Sequence, residues 1–508
     1  MGRLVKVRPL AELANELVAV RSAGKRTVLC HGVFDLMHVG HIRHLEQARR
    51  MGDVLAVTIT PDRYVNKGPD RPAFPEQLRA EAVAALDCVD FVAINQWPTA
   101  VETIRLLRPA LYVKGSEYRD AESDVTDGIR LERQAVEAIC GELAFTNGLT
   151  FSSSNLLNRY LPVLGDEAHD FIAGFRRRYP AAAVLEWLER VRSLRVLVVG
   201  ETIIDDYQYC HAIGKSSKSA AVVARVEASE RFAGGTLAVA NHVAGFCDHV
   251  SVLTQLGAQN SHETFVRQQL HPGVEPLLLM RRDAPTIVKR RFIEGYFFTP
   301  MFELYEINDE SLHPDDNVEV CAALRREIAR HDIVVVVDYG HSLLTQDAVE
   351  ILCREAKFLA FTAQANAGNR GYHRLSKFHR ANYICAAEDE MYLEARDWRG
   401  DLQPVVLDVS QRLACPTIVV TRGKRGALCY TPNDGFLQVP AFGSKVVDRV
   451  GAGDAFLALT APFAACGAPL ELIGFIGNVA GAEAVATVGH RRYIDRQGFA
   501  KHIQALLA

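Results

Sequence analysis

The sequence predicts an α/β protein built from two doubly wound domains, and three observations carry that prediction. Short apolar runs of strand length alternate with helical periodicity in two separate series. A charge-rich stretch without strand character divides the series, and each series contains a glycine-bearing turn that opens a helix. At 508 residues the chain exceeds one ordinary core, so we divide it into residues 1–160, a helical linker over 161–193 and residues 194–508.

In the first series the strands are read at Thr27 to Phe34, Val54 to Thr60, Asp90 to Ile94, Leu111 to Val113 and Glu142 to Phe145, each followed by a helical pattern. Such sheets bind ligands at the carboxyl ends of their strands. The linker carries Asp166-Glu167-Ala168-His169-Asp170, then Arg176-Arg177-Arg178, then an amphipathic Leu185 to Val191; a short arginine run of this kind reads as a solvated face. The second series opens with Arg195-Val196-Leu197-Val198-Val199-Gly200.

Composition narrows the function. With 49% apolar residues, 23% charged residues and a formal net charge of −4, the chain has no global attraction to nucleic acid or to an anionic membrane. It has no apolar run of about 18 residues, and Leu10 to Val20 reads as a mixed helix rather than a signal peptide. Eleven scattered cysteines without a C-x-x-C pair or Cys/His ligand spacing read as reduced core residues and indicate no structural metal. These features predict a cytoplasmic protein whose partners are small molecules.

The end of the first strand is the chemically richest segment. There His38-Val39-Gly40-His41 places two imidazoles at a helix N-terminus, where backbone N–H groups already favour an anion. Imidazoles can donate to phosphate oxygens and offset charge developing on a leaving pyrophosphate. With the strand before it and the helix after it, this segment resembles the signature of cytidylyltransferase-like nucleotidyltransferases. The resemblance spans residues 25–160 and implies that His38, His41, Gly32 and Phe34 serve the nucleotide. It implies further that Lys67, in Lys67-Gly68-Pro69-Asp70-Arg71-Pro72, is the lysine of a basic loop touching both substrates' phosphates. Lys114, in Val113-Lys114-Gly115-Ser116-Glu117-Tyr118, and Ser152, Ser153 and Ser154 before a helix are implied to hold the nucleotide.

In the second series, Gly451-Ala452-Gly453-Asp454 opens an apolar helix. Its backbone amides point at an anion, while Asp454 can accept the proton of an attacking hydroxyl. This turn resembles that of ribokinase/PfkB sugar kinases, which implies a ribokinase-like fold over residues 194–508, with Asp454 as base and Gly451, Ala452 and Gly453 as the anion hole. The same resemblance implies sugar binding by Asp205, Gly234 and Gly235, and nucleotide binding by Thr421, Gly423 and Gly426 of Thr421-Arg422-Gly423-Lys424-Arg425-Gly426. Glu390 is implied to reach magnesium through water. The chain also departs from the pattern: Ala238 and Ala387 stand where the family has asparagines, His341 where heptose kinases have lysine, and Val450 where a threonine is expected.

Together the halves resemble bifunctional ADP-heptose-forming kinase/adenylyltransferases with the domain order exchanged. The resemblance implies an enzyme of nucleotide-activated sugar synthesis, a homodimer that uses ATP in the kinase half and ATP or CTP in the transferase half. Its small-molecule partners would be a sugar and a sugar phosphate. Both reactions move charge between phosphate oxygens and so call for Mg2+. Two other readings remain: an active transferase with a degenerate, ligand-sensing kinase domain, and a transferase for a non-sugar alcohol phosphate.

Overall fold

A computed structural model describes residues 6–65, 72–115, 128–146, 164–296, 298–397, 399–443 and 446–507. Contacts divide the chain into two compact units, Met1–Gly165 with Gln497–Ala508, and Asp166–Arg496.

The first unit is built on β1 (Thr27–Gly32), β2 (Val54–Ile59), β3 (Phe91–Ile94), β4 (Leu111–Lys114) and β5 (Glu142–Phe145), in the order β3-β2-β1-β4-β5. All pairings are parallel, in register Cys30 with Val57 and with Val113. The strands fall within one or two residues of those read from the apolar runs. Full burial of β2 explains why its sequence is continuously apolar instead of alternating. Helices α1 (Leu10–Ser22), α2 (Val39–Arg49), α3 (Glu76–Ala84), α4 (Val101–Leu107) and α5 (Gly128–Ala138) fill the crossovers. In α1, Leu10, Leu13 and Leu17 recur at helical spacing and are buried against Leu29, Ala56 and Tyr112. Strand order reverses between β1 and β4, so the sheet's crevice opens where β1 ends.

The second unit begins with α6 (Asp166–Arg178) and α7 (Ala181–Arg190). Phe175 of α6 stacks on Phe475 at 4.2 Å, while Arg176, Arg177 and Arg178 face solvent. A four-stranded sheet then forms from β7 (Thr202–Lys215), β8 (Val222–Gly235), β11 (Ile287–Glu294) and β12 (Thr299–Glu306), in the order β12-β11-β7-β8. The larger sheet has nine strands. In chain order these are β6 (Arg195–Gly200), β9 (His249–Gln259), β10 (Val274–Pro285), β13 (Ile333–Asp338), β14 (Leu359–Ala363), β15 (Tyr383–Ala387), β16 (Thr417–Thr421), β17 (Ala427–Thr431) and β18 (Gly435–Val439). Its pairings are parallel up to β16 and antiparallel in the last two.

Three helices frame the second unit's chemistry: α8 (Thr236–Ala244), α9 (Ala452–Ala465) and α10 (Leu470–Val485). Both α9 and α10 are apolar nearly all round, as befits helices buried on most faces. None of the eleven cysteines forms a disulfide. Among the described residues no helix is long and apolar enough to cross a membrane.

Candidate functional site

After Gly32 the chain of the first unit turns through Phe34 and Leu36, which lie in the left-handed region at φ 50° and 49°. Such positions cost non-glycine residues about 1–3 kcal/mol each and persist where the surroundings over-determine them. Here they are over-determined. The Asp35 carboxylate accepts the backbone amides of Ala73 at 2.9 Å and Phe74 at 3.3 Å. Arg79, 1% exposed, donates to the carbonyls of Val33, Thr60 (2.8 Å) and Phe74 (2.9 Å), and pairs with Asp62 at 2.5 Å.

This frame holds the histidines. His38 caps α2, its Nδ1 accepting the Gly40 amide at 3.1 Å, which leaves Nε2 as the ring's proton-bearing nitrogen. The His38 and His41 rings lie 4.0 Å apart, and Phe34 meets His41 edge-on at 5.5 Å. Gly32 makes room for the Phe34 ring, which a Cβ would approach to 3.1 Å. Across the strand-order reversal, Lys114 pairs with Glu132 at 3.0 Å and lies 5.6 Å over the Tyr112 ring. Two further histidines line this region without being exposed donors. Desolvation, helped by the Lys114 charge, lowers His31 to about 3 and His44 to about 4. Threonines take up their nitrogens: Thr58 (2.9 Å) and Thr60 (3.2 Å) at His31, Thr146 (2.9 Å) at His44. Lys67, Ser152, Ser153 and Ser154 lie outside the described residues.

In the second unit, Gly451 caps α9 with φ 82°, where a Cβ would meet the His490 ring at 2.2 Å. Ala452, Gly453 and Asp454 form the first turn. Asp454 Oδ1 accepts the Tyr339 hydroxyl at 3.0 Å. Tyr339 is itself fixed, its amide donating to Glu201 at 3.0 Å and its carbonyl accepting the side-chain amides of Asn366 and Asn369, both at 2.9 Å. Desolvation raises the Asp454 pKa, against the opposing pull of His490 and the Tyr339 bond.

Asp205, on β7, pairs with Arg291 and faces His490 at 3.7 Å. Gly234 lies opposite, where a Cβ would meet the Asp205 carboxylate at 2.1 Å; at Gly235, φ 56°, a Cβ would touch the Tyr339 ring at 3.1 Å. Asp205, Gly234, Gly235 and Asp454 are therefore gathered around Tyr339. Lys289 is stacked 5.4 Å from the same ring, and burial lowers its pKa. Beside Gly453 opens a cavity of ≈ 370 Å³ lined by Thr421, Gly423, Gly426 and Phe442, with Ala452 and Gly453 on its wall.

The departures have local consequences. Glu390 reaches back to accept the Ala387 amide at 2.7 Å, and desolvation raises its pKa to about 7. His341 binds Asp309 at 2.8 Å, while the buried Asp338 takes Lys377 at 2.7 Å, so the cation beside Asp338 comes from a distant segment. Sequence reasoning passed over Arg79, Tyr339, Arg291, Lys289 and His490. Tyr339 lies two residues before His341; nothing local marked the other four.

Residues 193–495, more than half of the chain, match the pfkB family carbohydrate kinase, and the chain belongs to that family. Residues 29–159 match the cytidylyltransferase-like family. The bifunctional protein HldE of Geobacter sulfurreducens is 37% identical over 167 residues, 32% of each chain. The protein of the same name from Syntrophotalea carbinolica is 43% identical over 115 residues, 22% of this chain and 24% of its own. The chain thus spans about a third or less of the length of these curated relatives. Among solved structures, Arabidopsis thaliana ribokinase complexed with ribose and ATP aligns over 62% of this chain and 99% of its own, with TM-score 0.46 and 14% identity. The tetrameric inhibited form of Escherichia coli phosphofructokinase-2 aligns over the same shares, with TM-score 0.49 and 13% identity.

Proposed function

We propose that the chain is a bifunctional enzyme of nucleotide-activated sugar synthesis. It phosphorylates a sugar or sugar phosphate with ATP, and it transfers a nucleotidyl group from ATP or CTP to a sugar phosphate with release of pyrophosphate. We assign the transferase to residues 1–160 and the kinase to 194–508, joined by 161–193. One observation carries the reading: each unit has its own phosphate-directed helix start, furnished with the side chains its reaction needs. His38 and His41 open α2, and Asp454 opens α9 between Asp205 and the cavity of Thr421 and Gly423. The name of the HldE relatives, bifunctional, is consistent with it.

In the kinase, Asp205 holds the sugar, Asp454 takes the proton of the attacking hydroxyl, and the amides of Gly451, Ala452 and Gly453 receive charge on the transferred phosphoryl group. In the transferase, an oxygen of the sugar phosphate attacks, and His38 and His41 donate to the leaving pyrophosphate, with Lys67, Lys114 and the serines at 152–154 steadying the phosphates. Among the described residues no group of three or more His, Cys, Asp or Glu side chains could hold a metal by itself. Mg2+ would be carried on nucleotide phosphates, with Glu390 reaching it through water, and would neutralise charge on the phosphate oxygens. A cytoplasmic homodimer acting on small molecules completes the reading; exposed Ile213, Val222 and Val226 on the β7–β8 hairpin support the dimer.

The test is ATP consumption with a sugar panel by wild type and Asp454→Asn, alongside pyrophosphate release from ATP or CTP with sugar 1-phosphates and glycerol 3-phosphate. The reading predicts sugar-dependent ATP use that the variant loses, and pyrophosphate release that both retain. A kinase half inert with every sugar yet altering transferase kinetics would favour the sensing domain, which Ala238 and Ala387 motivate.

A further inference from the structure

Tyr339 is buried, 3% exposed, and among the described residues its hydroxyl has one hydrogen-bond partner, Asp454 Oδ1 at 3.0 Å. Its other contacts are ones a phenylalanine would make equally well. The Tyr339 amide donates to Glu201 Oε2 at 3.0 Å, and two residues on the His341 amide donates to Oε1 of the same buried carboxylate, also at 3.0 Å. The carbonyl accepts Asn366 and Asn369, both at 2.9 Å. The ring packs where Gly235 has no Cβ, and the Lys289 ammonium lies 5.4 Å from its centre. Backbone clamps and ring packing therefore account for an aromatic residue here but not for its oxygen. A phenol is costly to bury unless it is bonded, and this one finds its bond at Asp454.

Seen from the carboxylate, the bond is equally selective. Asp454 uses Oδ1 for it, and among the described residues no hydrogen bond reaches Oδ2. Desolvation raises the Asp454 pKa and the Asp205 charge adds to the rise, while His490, the Tyr339 bond and Lys289 oppose it. Glu390 and the Cys385 thiol of β15 also feel the Asp454 charge. Of all these groups, Tyr339 is the one hydrogen-bonded to the base.

We propose that Tyr339 is the positioning residue of the kinase's base: its hydroxyl anchors Asp454 by Oδ1 and so presents Oδ2 to the sugar hydroxyl that is phosphorylated. The proposal rests on the kinase reading above and deepens it. A neutral donor favours the charged carboxylate, so the same bond keeps the base ionised where desolvation works against it. In the step itself the sugar O–H bond breaks as the new O–P bond forms. The proton passes to Oδ2, and ADP leaves with the electron pair of the broken P–O bond. Tyr339 keeps its own proton throughout, because burial holds its phenol well above the ordinary tyrosine value.

The experiment uses the full chain and coupled ATP consumption with Mg2+, the probes being pentoses, hexoses and heptoses, each free and as its terminal phosphate. On the best of them, kcat/KM is followed against pH in wild type, in Tyr339→Phe and in Tyr339→fluorotyrosine, whose more acidic phenol is a stronger donor. Loss of the bond in Tyr339→Phe should move the acid limb to higher pH by about 1–2, the roughly 10- to 100-fold of a hydrogen bond to a charged group. It should also lower kcat while KM for ATP and sugar holds. The fluorinated variant keeps the shape and should move the limb to lower pH. In the Asp454→Asn background, Tyr339→Phe should change the residual rate by less than about twofold, because no base is left to position. An acid limb that stays in place in both variants, or a Tyr339→Phe penalty that is the same with and without Asp454, overturns the positioning role and leaves the kinase reading intact. Sugar-dependent turnover that Asp454→Asn does not lower, or a wild type inert with every probe, sinks the kinase reading itself.

Discussion

The starts of α2 and α9 are the same backbone device, an anion-facing helix N-terminus, fitted with opposite side chains. At α2 the first residues bring His38 and His41, ring against ring at 4.0 Å. At α9 they bring Asp454, hydrogen-bonded to Tyr339 and desolvated. On the function proposed above, the difference follows from the nucleophiles. A phosphate oxygen is already anionic and needs no base, so the transferase site can devote its side chains to the leaving pyrophosphate. A sugar hydroxyl is neutral and must lose a proton as it attacks, so the kinase places a carboxylate where the helix dipole alone would have favoured only the phosphate. On that proposal, whether the nucleophile must lose a proton is written in the first turn of each helix.

The largest effect should separate the two sites outright. Asp454→Asn keeps the shape and the Tyr339 contact but removes the base, so sugar phosphorylation should fall about 10²–10⁴-fold, the usual contribution of general base catalysis. Pyrophosphate release from a supplied sugar phosphate should be unchanged. The mirror experiment is His38→Ala or His41→Ala, each removing a donor from the pyrophosphate and costing about 10²–10³ in rate, by analogy with loss of one oxyanion-hole donor. ATP use by the kinase half should stay at the wild-type level; wild-type pyrophosphate release in both variants would remove the histidines from catalysis.

Arg79→Ala tests whether the strained turn is held from below. It removes the donor shared by the carbonyls of Val33, Thr60 and Phe74; the Thr60 bond is buried, and stranding a buried acceptor costs about 1–3 kcal/mol. Differential scanning calorimetry should show the first unit melting earlier while the second melts as before, with transferase activity lost at temperatures where kinase activity persists.

The proton requirement also sets a pH contrast. Because desolvation raises the Asp454 pKa, acidification protonates it at a higher pH than an ordinary carboxylate of about 4. Only its charged form accepts a proton, so kinase kcat/KM should decline as pH falls through that raised value, and the acid limb should vanish from the transferase profile. A shared acid limb would mean that a common folding transition, not the base, is being titrated.

Much of this was legible in the chain and some of it was not, for physical reasons. The five strands of the first unit showed because a sheet covered on both faces writes continuous apolar runs. Asp454 was marked by a glycine-bearing turn opening an apolar run, and Thr421, Gly423 and Gly426 by the family resemblance alone; the structure sets the first at the start of α9 and the other three on the wall of one cavity. The four-stranded sheet did not show: β7 buries Asp205 and Asp206 and exposes Ile213, while β8 exposes Val222 and Val226, so apolar character does not track burial along either strand. His490, Arg291 and Lys289 were invisible because their roles come from long-range packing around Asp205 and Tyr339, which no local period encodes.

The smallest predicted effect probes the joint between these legible and illegible parts. Gly451 is readable as the opening of the anion turn, yet its reason for being glycine is partly His490, because a Cβ there would meet that ring at 2.2 Å. Gly451→Ala should therefore incur two separable costs, the left-handed backbone at φ 82° and the displaced imidazole. The first is about 1–2 kcal/mol and stays whatever the neighbour. The second disappears when His490 is also shortened. Kinase kcat/KM should fall by about tenfold in Gly451→Ala from backbone strain alone, with a further loss from the collision. In the double variant with His490→Ala, the two changes should cost less together than the sum of the singles, the non-additivity expected of residues in contact. Strict additivity would mean that the turn tolerates a methyl without moving the ring, and the glycine would then be required for its φ angle alone.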